Sequence, residues 1–319
     1  MQRWTLAVAL GLMFVASQSA VADDYPSRPI KAIASQGAGG LSDLFMRALG
    51  EQMGPALGTS IVVEDRIGAE GTVGAKACAD SAPDGYTICI LPGETIVINP
   101  LIQPSDFDPA QRLVPIARPY YLTQVFAVSA SLNVKSFDEL AAAAKAKPKT
   151  FNYMAPSLSK VAFMEEFNKK NGTDIVRIPF KGGGDAVTAM LTGTAQVAIF
   201  GIGNLVAFLR DGKIRGLAID GDVRSPLAPE ISTFKESGYK EHIAATFFGI
   251  FAPAGTPQPI VERLSTEINK ILTRPDIVES WRQQGAFPLV MQPAEFGKYI
   301  EAEIERRAKL IKANGIMSN

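Results

Sequence analysis

Ile30-Lys31-Ala32-Ile33-Ala34-Ser35-Gln36-Gly37-Ala38-Gly39-Gly40-Leu41-Ser42-Asp43 joins a short apolar run to a glycine-rich turn and then to a helical pattern. Ile30 to Ala34 reads as a strand. From Leu41 to Leu57, apolar residues recur at Leu41, Leu44, Phe45, Ala48, Leu49 and Met53, the spacing of a helix with one buried stripe. A strand running directly into a helix is half of a βαβ unit, so a sheet built with crossovers is expected. The turn between them gathers backbone N–H groups at the positive end of the helix dipole, a cradle that suits a carboxylate or phosphate. Ser42 and Asp43 also suit plain N-capping.

Outward from this unit the alternation continues. Strand-like runs fall at 60–63, 86–91, 125–129, 151–154, 175–179, 196–200 and 214–219, with helical patterns at 72–79, 136–147, 161–170, 185–191 and 205–210. The end of the chain reads as three helices, 260–272, 276–284 and 293–313, with Pro257, Pro275 and Pro293 at their starts, where proline is tolerated. The pattern is that of an α/β fold with mainly parallel sheets. No linker or internal repeat interrupts it, and a chain of this length is expected to divide into two lobes.

Residues 1–22 read as an export signal. Arg3 precedes an apolar run of about eleven residues, too short to cross a bilayer core of roughly 30 Å as a helix, and Ala20-Val21-Ala22 offers small residues at the cleavage positions. Cleavage after Ala22 would deliver the chain to the periplasm. It would also remove Arg3, taking 32 basic residues to 31 against 32 acidic ones. So even a balance makes nucleic acid an unexpected partner. Cys78 and Cys89, the only cysteines, flank the turn at Ala82-Pro83-Asp84-Gly85; a disulfide and two buried thiols are both open readings. Two cysteines and the single histidine, His242, scarcely supply a zinc site.

Four further segments sit where strands end and helices begin. Lys181-Gly182-Gly183-Gly184-Asp185-Ala186 repeats the first cradle some way along the chain, suggesting two lobes that offer helix N-termini to one ligand. Ala155 to Lys160 brings Ser157 and Ser159, two hydroxyls beside an amine. Glu94 follows the third strand and Asn204 follows Phe200-Gly201-Ile202-Gly203; Phe200, Phe247 and Phe248 offer an apolar wall. In open α/β sheets ligands sit outside the carboxyl ends of the strands, where these loops should gather. The candidate binding residues are therefore Gln36, Gly37, Ala38, Gly39, Gly40, Ser42, Asp43, Glu94, Ser157, Ser159, Lys181, Gly182, Gly183, Asp185, Asn204 and Phe247.

Other chemistries fit poorly. Gly37 and Gly39 suit a dinucleotide fingerprint, but Ser42 stands where its third glycine belongs. Gly212-Lys213 and Gly297-Lys298 lack the Ser or Thr of a phosphate-binding Walker loop. No Gly-x-Ser-x-Gly elbow accompanies His242. Neither catalysis, a cofactor nor a metal is expected.

Read in order, Tyr25-Pro26-Ser27-Arg28-Pro29-Ile30, Gly39-Gly40-x-x-Asp43, Val62-Val63-Glu64 with Gly68 and Gly71, Pro83-Asp84-Gly85-Tyr86-Thr87, Asn99-Pro100, Pro179-Phe180-Lys181-Gly182, Gly212-Lys213-Ile214-Arg215, Ala252-Pro253-Ala254-Gly255-Thr256-Pro257 and Pro293-Ala294-Glu295-Phe296 span the mature chain. In this arrangement it resembles the extracytoplasmic solute receptors of tripartite tricarboxylate transporters, the Bug family. The resemblance implies a bilobed periplasmic-binding-protein fold of the Venus flytrap type, with two mixed sheets flanked by helices. It places 23–124 and 250–319 in lobe one and 125–249 in lobe two. It implies a carboxylate held at residues 36–43 and 181–186, no catalysis, and delivery to large and small membrane subunits by a monomer.

The chain departs from the family pattern at ligand-facing positions: Ser35-Gln36-Gly37-Ala38 before Gly39-Gly40, Ile67 before Gly68, a shortened Ala155–Lys160 loop and Gly184-Asp185. An unusual substrate is expected, a dicarboxylate with an aromatic or apolar body such as terephthalate. Two alternatives remain. A sensor presenting its ligand to a membrane kinase would use the same closing lobes, and an exported enzyme would need a nucleophile or metal cluster.

Overall fold

Strand β1 (Ile30–Ala34) buries Ile30, Ala32, Ile33 and Ala34, as a strand covered on both faces must. Helix α1 (Leu41–Leu57) turns Leu41, Phe45, Leu49, Met53 and Leu57 inward and ends at Gly58, whose φ of 68° is the left-handed conformation that closes a helix without steric cost. The computed structural model describes residues 25–103, 105–155, 157–180, 183–220, 224–239 and 246–313. The segment read as an export signal, and with it the cleavage site, lies outside these residues, as does His242.

Two mixed sheets organise the chain. In the first, β1 pairs in parallel with β2 (Ile61–Asp65) and β3 (Thr87–Pro92). Antiparallel to β3 runs β10 (Thr246–Pro253), then β4 (Leu113–Leu122) and β11 (Ala286–Pro288), giving the order β11-β4-β10-β3-β1-β2. The second sheet has the order β7-β6-β8-β5-β9, from β5 (Gln124–Ser129), β6 (Asn152–Met154), β7 (Val176–Arg177), β8 (Val197–Gly201) and β9 (Ile214–Ile219). Here β6 to β8 are parallel and β5 is antiparallel to both its neighbours. The chain passes between the sheets at Thr123 and again between Ile219 and Thr246.

Both sheets are mixed, as the resemblance implies, whereas the alternation of strands and helices alone points to mainly parallel ones; the antiparallel pairings come from β4, β5, β10 and β11. Strand β4 contains Pro115 and Pro119, which argue against a strand in sequence. Strand β10 contains a near-continuous apolar run whose type periodicity does not decide.

Helices cover both faces of each sheet. On one face of the first, α1, α10 (Gln258–Leu272) and α11 (Pro275–Gln283) pack Phe45, Leu264 and Trp281 against Tyr120 and Phe248. Ring centroids in this group lie 4.4 Å (Phe45–Tyr120) to 5.4 Å (Tyr120–Trp281) apart. On the other face, α2 (Thr72–Ala79), α3 (Gly93–Val97), α4 (Asn99–Ile102), α5 (Pro109–Arg112) and α12 (Pro293–Ala313) meet Phe247, Phe251 and Phe296. Each fully buried ring contributes roughly 1.5–3 kcal/mol through burial. The second sheet is covered by α6 (Phe137–Ala146) and α7 (Leu158–Asn171) on one face, and by α8 (Gly183–Thr192) and α9 (Ile202–Arg210) on the other. Cys78 of α2 and Cys89 of β3 are joined as a disulfide with Cα atoms 6.1 Å apart. Of the two open readings, this is the one the structure adopts.

Candidate functional site

The carboxyl ends of β1, β2 and β3 in the first sheet face those of β6, β7 and β8 in the second. Between them lies a cavity of about 510 Å³. Ser35, Gln36, Gly40 and Leu41 enter from the loop after β1, Ile67 to Gly71 from that after β2, and Pro92 and Glu94 from the end of β3. The second lobe supplies Ser157, Lys160, Arg177, Pro179, Phe180, Phe200, Gly201 and Asn204. Leu122, Gln124 and Phe248 complete the wall.

The first loop is folded by its own side chains. The Gln36 N–H donates to Ser42 Oγ at 3.1 Å, and the Ser42 N–H donates back to Gln36 Oε1 at 2.9 Å. The Gly39 N–H donates to Asp43 Oδ2 at 3.0 Å, and Asp43 also pairs with Arg47. A Cβ on Gly40 would lie 2.8 Å from the Gly37 carbonyl oxygen, so this position admits only glycine without rearrangement. Of the eight residues from Gln36 to Asp43, the cavity is therefore lined by Gln36, Gly40 and Leu41. Ser42 and Asp43 shape the turn, Ala38 and Gly39 are exposed, and Gly37 does not line the cavity.

A buried ion pair bridges the two lobes. Lys160 Nζ, on the first turn of α7, donates to Glu94 Oε1 at 2.7 Å and to Ser157 Oγ at 3.0 Å. The Ser159 hydroxyl lies 2.8 Å from each Glu94 oxygen. Burial opposes the charge on Glu94, but the Lys160 ammonium and the hydroxyls of Ser159 and Ser157 outweigh it and hold the carboxyl below its ordinary range. A second bridge joins Arg177 Nη2 to Glu70 Oε1 at 2.9 Å. Glu70 has φ 53°, ψ 38°, a left-handed backbone unusual for a non-glycine residue. Its carbonyl is fixed there by Thr95 Oγ1 and Asn99 Nδ2, each at 3.0 Å.

The rest of the wall is largely apolar, with Phe180 and Phe200 packed edge to face at 5.0 Å. Of the three phenylalanines expected in the wall, Phe200 and Phe248 line the cavity and Phe247 does not. Successive strand residues point to opposite faces, which sends Phe247 under α3 and α12 against Phe296 and Tyr299. Glu94, Ser157 and Asn204 lie in the wall, whereas Ser159 acts one layer back through Glu94. Gly183 opens α8, and Asp185 is exposed on its first turn and does not line the cavity. Lys181 and Gly182 lie outside the described residues. The described residues hold no metal-binding group of His, Cys, Asp and Glu, and none of their helices is long and apolar enough to cross a membrane.

Asp220 stands behind this site, where the chain leaves β9. Its Oδ1 accepts from the Gln124 N–H and its own N–H donates to the Gln124 carbonyl at 2.9 Å, tying β9 to the start of β5 beside the Thr123 crossing. Burial pushes its carboxyl up to about 7, while the Gln124 N–H and the Lys160 charge pull it down. A carboxyl raised from an unfolded value of about 3.9 binds its proton more tightly in the folded state. Its contribution to stability is full below the unfolded value and is lost as pH rises through about 7. The melting temperature is therefore expected to fall by several degrees between pH 5 and pH 8, and Asp220→Asn to flatten that fall. An unchanged pH profile in the variant would remove Asp220 as its cause.

Glu70, Arg177, Lys160 and Asp220 were not foreseen as site residues. Lys160 was visible as the amine beside two hydroxyls, and Glu70 as the acid between Gly68 and Gly71 after β2. Arg177 and Asp220 carry no local signal, since their partners Glu70 and Gln124 lie far away in sequence.

The chain belongs to the tripartite tricarboxylate transporter family receptors, whose family model matches residues 45–316. It is 33% identical to protein BugT of Bordetella pertussis over 92% of this chain and 91% of that one. Among solved structures it is similar to Rpa4515 of R. palustris with adipate, at TM-score 0.83 and 27% identity over 92% of this chain and 99% of that one. It is similar too to MatC from Rhodopseudomonas palustris with bound malate, at TM-score 0.82 and 26% identity over 90% and 100%. The fold is thus that of a periplasmic solute-binding receptor.

Proposed function

We propose that this chain is exported, cleaved after Ala22, and captures a small dicarboxylate with an apolar or aromatic body for delivery to the large and small subunits of a tripartite transporter. The observation that carries this reading is the cavity between the lobes. At about 510 Å³ it has the size of a small-molecule site, and polar groups from both sheets surround an apolar middle. The relatives with adipate and malate support the carboxylate class. The ring-bearing wall of Phe180, Phe200 and Phe248 favours a body such as that of terephthalate.

Residues 23–124 with 250–319, and residues 125–249, act as the two lobes, and the ligand favours closure because it touches both. The ligand leaves as it entered, as the membership in a family of transporter receptors supports. A thermal-shift screen of residues 23–319 against aliphatic, aromatic and hydroxylated diacids, tricarboxylates and their monoacid analogues tests this. A saturable rise in melting temperature with a diacid is expected. Equal shifts with the monoacid analogue would defeat the dicarboxylate reading, and no shift with any acid would defeat the carboxylate one.

A further inference from the structure

We propose that Glu94 is a specificity-determining residue, selecting carboxylates that also carry a hydroxyl or amino hydrogen-bond donor. The inference rests on the carboxylate-receptor reading and narrows it. Glu94 and Lys160 both line the cavity, but they do not present themselves equally. The Lys160 side chain is 1% exposed and that of Glu94 10%, so the pair turns its carboxylate toward the ligand and its ammonium away.

The donors of Lys160 are directed to Glu94 and Ser157. Glu94 Oε1 accepts from Lys160, and Ser159 is shared between Oε1 and Oε2. The Ser157 hydroxyl also supports this carboxylate; against about four acceptor positions these three donors leave one for the ligand. Glu94 is an acceptor only, and it repels a ligand carboxylate brought against it. It is also desolvated without return by a ligand that lacks a donor, the arrangement by which sites reject analogues missing one polar group. Among the described residues the other cation of the wall, Arg177, is likewise paired across the cleft with Glu70. The ligand's carboxylate is therefore directed elsewhere, to the loop carrying Gln36 and Gly40, with its donor against Glu94.

Calorimetric titration with matched sets tests this: succinate, malate and aspartate; adipate, 2-hydroxyadipate and 2-aminoadipate; terephthalate and its 2-hydroxy and 2-amino derivatives. Within the set that binds, a donor-bearing member is expected to bind roughly tenfold or more tightly than its parent, as a hydrogen bond to a charged group implies. Comparison of the hydroxy and amino members tells which donor is preferred. Glu94→Gln should collapse the ratio toward unity. The double variant Glu94→Gln/Lys160→Met should do the same without leaving an unpaired buried ammonium. Equal affinity for parent and derivative in the wild type, or an unchanged ratio in both variants, overturns the inference alone. Silence across all nine acids overturns it together with the dicarboxylate reading beneath it.

Discussion

Lys160→Met is expected to weaken binding of the best carboxylate by roughly a hundredfold or more, because removing one partner of a buried ion pair costs about 3–5 kcal/mol. The Glu94 carboxylate, held ionised by Lys160 and two serines, would remain in the closed cleft without its 2.7 Å counterion. The pair joins α3 of one lobe to α7 of the other, so opening the lobes relieves the stranded charge. The loss should consequently appear more in affinity than in melting temperature. Without Lys160, burial raises the Glu94 pKa in the closed state. Closure then takes up a proton, and binding by the variant should strengthen as pH falls. Adding Glu94→Gln should recover most of the lost affinity for an unsubstituted diacid, the signature of coupled residues in a double-mutant cycle. Calorimetric titration of the two single variants and the double variant checks this. Unchanged affinity in Lys160→Met would mean that the pair does not face the ligand.

The second large effect is expected at Gly203. A Cβ there would lie 1.8 Å from the Gln284 carbonyl oxygen and 2.6 Å from its carbon. Gly203 begins α9 on the second lobe, and Gln284 follows α11 on the first. The obstacle is backbone, so no side-chain rotation makes room. Gly203→Ala should cost about 3 kcal/mol or more, the upper end for overpacking, with a fall in melting temperature on the order of 5–10 °C. It should also weaken ligand binding, because the wedge stands beside Asn204 in the cavity wall. Gly184→Ala, whose Cβ would meet nothing within 4 Å, serves as control and should leave the melting temperature unchanged or slightly raised. A Gly203→Ala protein as stable as the control would show that α9 and the Gln284 turn do not approach so closely.

The parts of the fold legible in the sequence are those governed by local rules. The β1–loop–α1 unit could be read because periodicity, a glycine-rich turn and a helix start fall within 28 residues, Ile30–Leu57. Strand β4, with two prolines, and β10, with an ambiguous apolar run, become strands only by pairing with each other. The site divides in the same way. Gln36, Gly40, Glu94, Ser157 and Asn204 follow from the rule that ligands gather at the carboxyl ends of strands. The bridges Glu94–Lys160 and Glu70–Arg177 span 66 and 107 residues of sequence, and nothing local announces which residues pair. Residue type alone offers Phe247 and Phe248 equally to the wall; strand alternation keeps Phe248 there and turns Phe247 to the opposite face.

The most direct test is a crystal structure with the acid that gives the largest thermal shift. The account predicts that acid in the cleft, touching both lobes, with a carboxylate at the loop of Gln36 and Gly40, a donor group at Glu94 and its body against Phe180, Phe200 and Phe248. Ligand bound elsewhere on the molecule, or a carboxylate seated directly against Glu94, would contradict it.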